Sequence, residues 1–191
     1  MLSQLRKATG PSHARLDEAF GSLDLGREAD LRRFLGAHAM ALSPLFSTFH
    51  RFVERELALP CPDFPAMLAA DLAERGLPVS ALVALDIPQA VVPEEGAAGV
   101  CYVIAGSRLG NEVIRREGYQ GRTTGSPSRY MEDDTGHAVW KALVPWFAKQ
   151  EFSAVEAAAI EGAALAAFTT FETAFTVSAT LEESQKQELN G

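Results

Sequence analysis

The stretch from Pro93 to Gly118 constrains the rest of the chain most, because it reads as one helix with a face nearly bare of side chains. Its ends are marked. Pro93 suits a first helical position, Glu94 and Glu95 sit against the positive helix end, Arg115 and Arg116 lie near the negative end, and Gly118 follows the last turn. Within it, Gly99, Tyr102, Gly106, Gly110 and Val113 recur at intervals of three and four residues, which places them along one side. A helix-interior glycine costs up to ~1 kcal/mol relative to alanine. Several on one face therefore point to a close approach, either by a second helix packed through its backbone or by a flat ligand.

The other patterns are helical too. Leu2 to Phe20 has helical periodicity with Ser3 as a possible N-cap, and Gly10-Pro11 predicts a bend or a restart there, since proline removes the bond to the Lys7 carbonyl. Glu28 to Leu57 places Leu31, Phe34, Leu35, His38, Leu42, Leu45, Phe46 and Phe49 at helical spacing, with Pro44 a kink. Shorter helices are expected over Asp63 to Arg75 and Pro78 to Leu85. A polar loop from Tyr119 to Arg129 leads into a helix over Thr135 to Lys149. In the last helix, Ser153 and Glu156 have capping-box spacing, and the pattern runs to about Glu183. No alternating strand pattern, hairpin signal or repeat is present, so the expected class is all-α, with residues 1–191 as one domain and 183–191 as a frayed tail.

Composition excludes several classes of function. The formal net charge of -8 offers no basic surface for nucleic acid. The least polar stretch, Ser153 to Leu181, is interrupted by Glu156, Glu161 and Glu172, so no membrane span is expected, and the lack of an apolar N-terminal run makes a cytoplasmic location the expectation. Two cysteines, Cys61 and Cys101, do not make a disulfide framework.

Of the four histidines, His13 has the most informative neighbours. Arg6, His13, Asp17 and Phe20 fall seven, four and three residues apart, along one helical stripe. An iron-binding imidazole must be neutral at its ligating nitrogen, and a carboxylate one turn on can accept the other ring N-H, fixing the tautomer and strengthening the donor. Two turns back, Arg6 suits an anionic group at the rim of a ligand centred on His13. His38 and His50, twelve residues apart, are out of register for a metal pair and read as core or surface histidines. Glu132, Asp133, Asp134 and His137 are explained by acids favouring a helix start without invoking a metal.

Two segments together resemble the proximal and distal helices of bacterial heme oxygenases. They are Arg6-Lys7-Ala8-Thr9-Gly10-Pro11-Ser12-His13-Ala14-Arg15-Leu16-Asp17 and Tyr102-Val103-Ile104-Ala105-Gly106-Ser107-Arg108-Leu109-Gly110. The wording of the second is most similar to the biliverdin-forming enzymes associated with bacterial phytochromes. The resemblance implies the helical heme oxygenase fold, with heme held between the two helices as cofactor and substrate and dioxygen as co-substrate. It makes His13 the iron ligand, Asp17 its orienting partner, Gly106 and Gly110 the backbone cover of the reactive face, and Ser107 a support for ordered water. Arg6 and Tyr102 would hold propionates, Phe168 would close one wall, and Arg129 is a remote candidate for another anionic contact. No nucleotide-binding glycine loop is present, so a ferredoxin, a flavodoxin-like protein or a reductase would supply electrons, and a bacteriophytochrome is a possible recipient of biliverdin. Ala105 and Asn111 depart from the family's pattern. They motivate an alternative, a non-catalytic heme carrier or sensor on the same fold. A third reading, a thiaminase-like relative without heme, lacks a convincing nucleophilic cysteine.

Overall fold

The computed structural model describes residues 1–82 and 93–180, and these are all-helical, with no strand among the described residues. The elements are α1 (Leu2–Gly21), α2 (Glu28–Arg55), α3 (Phe64–Glu74), α4 (Ala97–Glu117), α5 (Gln120–Thr123), α6 (Arg129–Glu132), α7 (Thr135–Lys149) and α8 (Ala154–Ser178), with 3-10 turns at Val79–Ala81 and Glu94–Gly96. The helix expected over Pro78 to Leu85 is only the first of those turns within the described residues. The expected end near Glu183 and the tail 183–191 lie outside them.

The helix ends follow from the residues that make them. Asp63 caps α3 by accepting from the Ala66 amide, and Ser153 and Glu156 form the complete reciprocal box at the start of α8, each side chain meeting the other's backbone N-H. Such caps are worth about 1 kcal/mol each. α4 ends at Gly118, whose φ of 96° is a conformation open to glycine and costly for other residues. Two expectations are corrected. α1 runs unbroken through Pro11, because Lys7, Gly10 and Pro11 are all exposed and the carbonyl that loses its partner lies on the wet side of the helix. Pro93 precedes a 3-10 turn, and α4 itself starts at Ala97.

α8 is the central helix. It packs against α1, α2 and α4, burying Ile160, Ala163, Ala164, Ala167, Phe168, Phe171 and Ala174. By length and composition alone it could cross a membrane. Its apolar residues here meet three neighbouring helices. α2 supplies the largest apolar face, with Leu31, Phe34, Leu35, Leu42, Leu45 and Phe49 buried. α4 crosses α8 tightly at Gly99, where an added Cβ would stand 2.0 Å from the Ile160 carbonyl oxygen.

The inward side of α4 is fixed by Arg108. Its buried guanidinium donates from Nη2 to the carbonyls of Tyr130 (2.6 Å) and Asp133 (3.2 Å), and lies 4.4 and 4.9 Å over the rings of Tyr130 and Phe64. Gly136 makes room for it, since a Cβ there would stand 2.8 Å from Arg108 Cγ. α6 is held in turn by the buried Asp71 of α3. Asp71 accepts from the Ser128 hydroxyl, from the backbone N-H groups of Arg129 and Tyr130, and from the Arg129 guanidinium. A buried carboxylate is tolerated when its lone pairs are met in this way. Through Arg108, α4 is thus anchored to α3, α6 and α7, in addition to its packing on α8 and α2.

Candidate ligand-binding site

α1 and α4 both lie on α8, and neither packs substantially on the other. The two helices singled out by sequence thus share α8 as a packing neighbour. From α1, His13 stands 60% exposed, with Nδ1 2.8 Å from Asp17 Oδ2. Nδ1-H donates to that carboxylate, and Nε2 has no partner among the described residues, so in the neutral tautomer the free lone pair is on Nε2. The imidazole lies 6.0 Å, centroid to centroid, from the ring of Phe168 on α8, tilted by 57°. Phe168 is itself buried. Arg6 is exposed, and no ion pair holds it among the described residues.

The glycine stripe of α4 divides into two parts. Gly99 is consumed by the α8 crossing. Tyr102 is buried, with its ring 5.8 Å from that of Trp140 on α7, and a Cβ on Gly106 would meet Trp140 Cζ3 at 3.5 Å, ordinary contact. A Cβ on Gly110 would meet nothing within 4 Å, and beside it Leu109 and Val113 are 46% and 52% exposed. Gly106 is thus covered by Trp140, and the helix is open only at Gly110 with Leu109 and Val113. The half-buried Ser107 donates its hydroxyl to the Ile104 carbonyl at 2.8 Å, as a helical serine commonly does.

The two departures from the family pattern face the other way. Ala105 is fully buried and Asn111 nearly so, on the side of α4 that carries Arg108. Neither contributes to the open face.

Other candidates are accounted for by their neighbours. Arg129 pairs with Asp71 and Glu74, so it is not free for an external anion. His38 is enclosed by Phe20, Phe34, Tyr130 and Phe171; its Nδ1-H donates to the Phe34 carbonyl at 2.8 Å, and burial lowers its pKa to about 4. His50 is a surface residue beside Glu54. The acids before α7 resolve into a different group from the contiguous run in sequence: Glu112, Asp134 and His137 bring their ligand atoms within 4.8 Å of one another. The Arg115 guanidinium bridges both carboxylates, so a cation already occupies the position a metal would need. Burial pushes the Cys61 thiol up to about 12, helped by Glu54 and Asp63, and raises Cys101 well above its ordinary value. Neither is a ready thiolate nucleophile.

Trp140 is the site residue that sequence reasoning missed. It lies on a different helix from Gly106 and Tyr102, and no local pattern signals that it reaches them. Comparison with protein-family models gives no match, and comparison with curated protein sequences gives none either.

Proposed function

We propose that the chain is a heme oxygenase of the helical heme oxygenase fold. What supports this reading is that α1 and α4 both pack on α8, the one carrying an imidazole held at Nδ1 by Asp17 and the other a helix face open at Gly110. The donor set suits an iron porphyrin, offering one neutral nitrogen on one side and main chain with apolar side chains on the other. Bound heme, cofactor and substrate at once, would supply the iron at which dioxygen is activated for cleavage of the ring to biliverdin, carbon monoxide and ferrous iron.

The protein's own groups then have defined tasks. His13 holds the iron through Nε2, and Asp17 keeps the proton on Nδ1 and raises the basicity of the ligating nitrogen. Phe168 forms the floor beside the imidazole. Gly106 and Gly110 let the helix backbone approach, while Leu109 and Val113 exclude water. The hydroxyl oxygen of Ser107 keeps a lone pair with which it would support an ordered water. Arg6, unpaired at the exposed end of the stripe, meets a propionate, and Tyr102 braces the wall formed with Trp140. Electrons come from a ferredoxin, a flavodoxin-like protein or a reductase, and the product suits a bacteriophytochrome.

The experiment is to load the protein with hemin and supply reductant and oxygen. The heme oxygenase reading predicts loss of the heme spectrum and stoichiometric biliverdin, identified by chromatography. A heme complex that persists unchanged would instead establish the carrier or sensor.

A further inference from the structure

We propose that a cleft near the start of α8 binds a small zwitterion of the amino-acid class with an apolar side chain. None of its groups is used by the heme reading. The cleft measures ≈ 240 Å³ and lies where the end of α2, the Glu94–Gly96 turn, the α7–α8 link and the first turns of α8 meet. Sites for drug-sized ligands run from ~300 Å³ upward, so this one suits a smaller metabolite. Ile160 lines it, eight residues before Phe168 on α8, which is about 12 Å along the helix.

Three of the lining side chains are aromatic. Phe52 and Trp146 meet edge to face at 5.0 Å, and Phe152 lies 5.9 Å from Trp146, so the rings make a corner rather than a flat plate. Trp146 and Phe152 are only half-buried, which leaves ring surface for an apolar side chain.

α2 brings a set of donors to the same cleft. Thr48, Arg51 and Arg55 are spaced three and four residues apart, on one face of that helix. Thr48 carries the argument, because it is 9% exposed and its hydroxyl has no hydrogen bond among the described residues. The helical threonines Thr9, Thr169, Thr170, Thr173 and Thr176 all donate to the carbonyl four residues back. The Thr48 hydroxyl does not, and it lines the cleft, where a ligand oxygen would meet it. Arg51 and Arg55 are also without an ion pair among the described residues, although Glu56, Glu94, Glu95 and Glu151 line the same cleft. Other exposed arginines, Arg15, Arg116 and Arg122, do have carboxylate partners. A hydroxyl with two guanidiniums one turn apart is a donor set for a carboxylate. Glu94 and Glu95, from the turn before α4, and Glu151, from the α7–α8 link, form the complementary set for an ammonium group. The carboxylates outnumber the arginines, so the rim disfavours a simple anion, while a simple cation leaves Thr48 and both arginines unmet. A ligand carrying both charges satisfies the two sets together.

The test uses three probes on one phenyl scaffold: L-phenylalanine, phenethylamine, which lacks its carboxylate, and 3-phenylpropionate, which lacks its ammonium group. The readout is the indole N-H resonance of Trp146, assigned by its loss in Trp146→Phe, with the Trp140 resonance as the internal control. L-Phenylalanine should shift the Trp146 signal saturably and leave that of Trp140 in place, and each of the other two probes should bind about tenfold more weakly. Replacing both exposed arginines, Arg51→Gln with Arg55→Gln, should weaken L-phenylalanine about tenfold and leave phenethylamine no weaker. Thr48→Val, which keeps the shape and removes the hydroxyl, should also weaken L-phenylalanine; the arginine pair decides the matter if that variant does not fold. No saturable shift with L-phenylalanine would overturn the assignment. So would equal or tighter binding of either singly charged probe, or an arginine double variant that binds L-phenylalanine as wild type does. Hemin plays no part in any of these measurements, so their outcome is separate from that of the heme reading.

Discussion

Two histidines show how position decides the task of one side chain. His13 is open to water on one helix and donates from Nδ1 to a carboxylate one turn away, so its other nitrogen is available to a ligand. His38 donates from the same ring atom to a helix carbonyl inside an aromatic cage. Its burial disfavours the imidazolium, which gives a testable pH dependence. The folded-state pKa of about 4 lies below the unfolded value near 6.5, so the unfolded chain binds the extra proton between these limits. The contribution of His38 is complete above about pH 6.5 and falls as pH drops toward 4, at up to ~1.4 kcal/mol per unit. Denaturant unfolding at pH 7 and pH 5 should therefore show wild type losing more stability on acidification than His38→Phe. Equal losses in the two proteins would mean that this imidazole is not held neutral.

The α4 helix unites two uses of glycine that periodicity cannot tell apart. Gly99 and Gly110 occupy one stripe, yet Gly99 meets the Ile160 carbonyl of α8 while Gly110 meets nothing. Gly99→Ala should destabilise the fold by roughly 1–3 kcal/mol through overpacking against a backbone that cannot retreat. Gly110→Ala should stabilise the ligand-free protein by up to ~1 kcal/mol through helix propensity while weakening hemin binding, because its methyl enters the open face. Thermal melts and hemin titrations of the two variants check both signs, and a destabilised Gly110→Ala would refute the division of the stripe. Much at this scale was legible in the residues, because caps are local chemistry: Asp63, Ser153 with Glu156, and Gly118 mark the ends the structure shows. The His13–Asp17 contact was legible for the same reason, being one helical turn long. The division of the glycine stripe, the reach of Trp140 and the buried seat of Arg108 were not. Each depends on how two helices cross, which no single segment encodes. The unbroken passage of α1 through Pro11 depends likewise on which side of that helix meets water.

For the whole molecule, the arrangement has one economy: α8 orders both α1 and α4, so their placement is set by packing that does not itself need the ligand. The anchoring of α4 through Arg108, Tyr130 and Asp71 fixes its inward side by the same means. A net charge of -8 leaves little general attraction for a dianionic porphyrin, so the proposed binding would rest on the few local groups named, His13 foremost. The central claim is that His13 ligates heme iron, and a hemin titration of wild type and His13→Ala, followed by the Soret band, tests it most directly. The account predicts saturable one-to-one binding by wild type with the spectrum of a histidine-ligated iron, and in His13→Ala the loss of that spectrum with imidazole added to solution restoring it. Wild type that does not saturate, or a His13→Ala protein whose spectrum matches wild type, would contradict it.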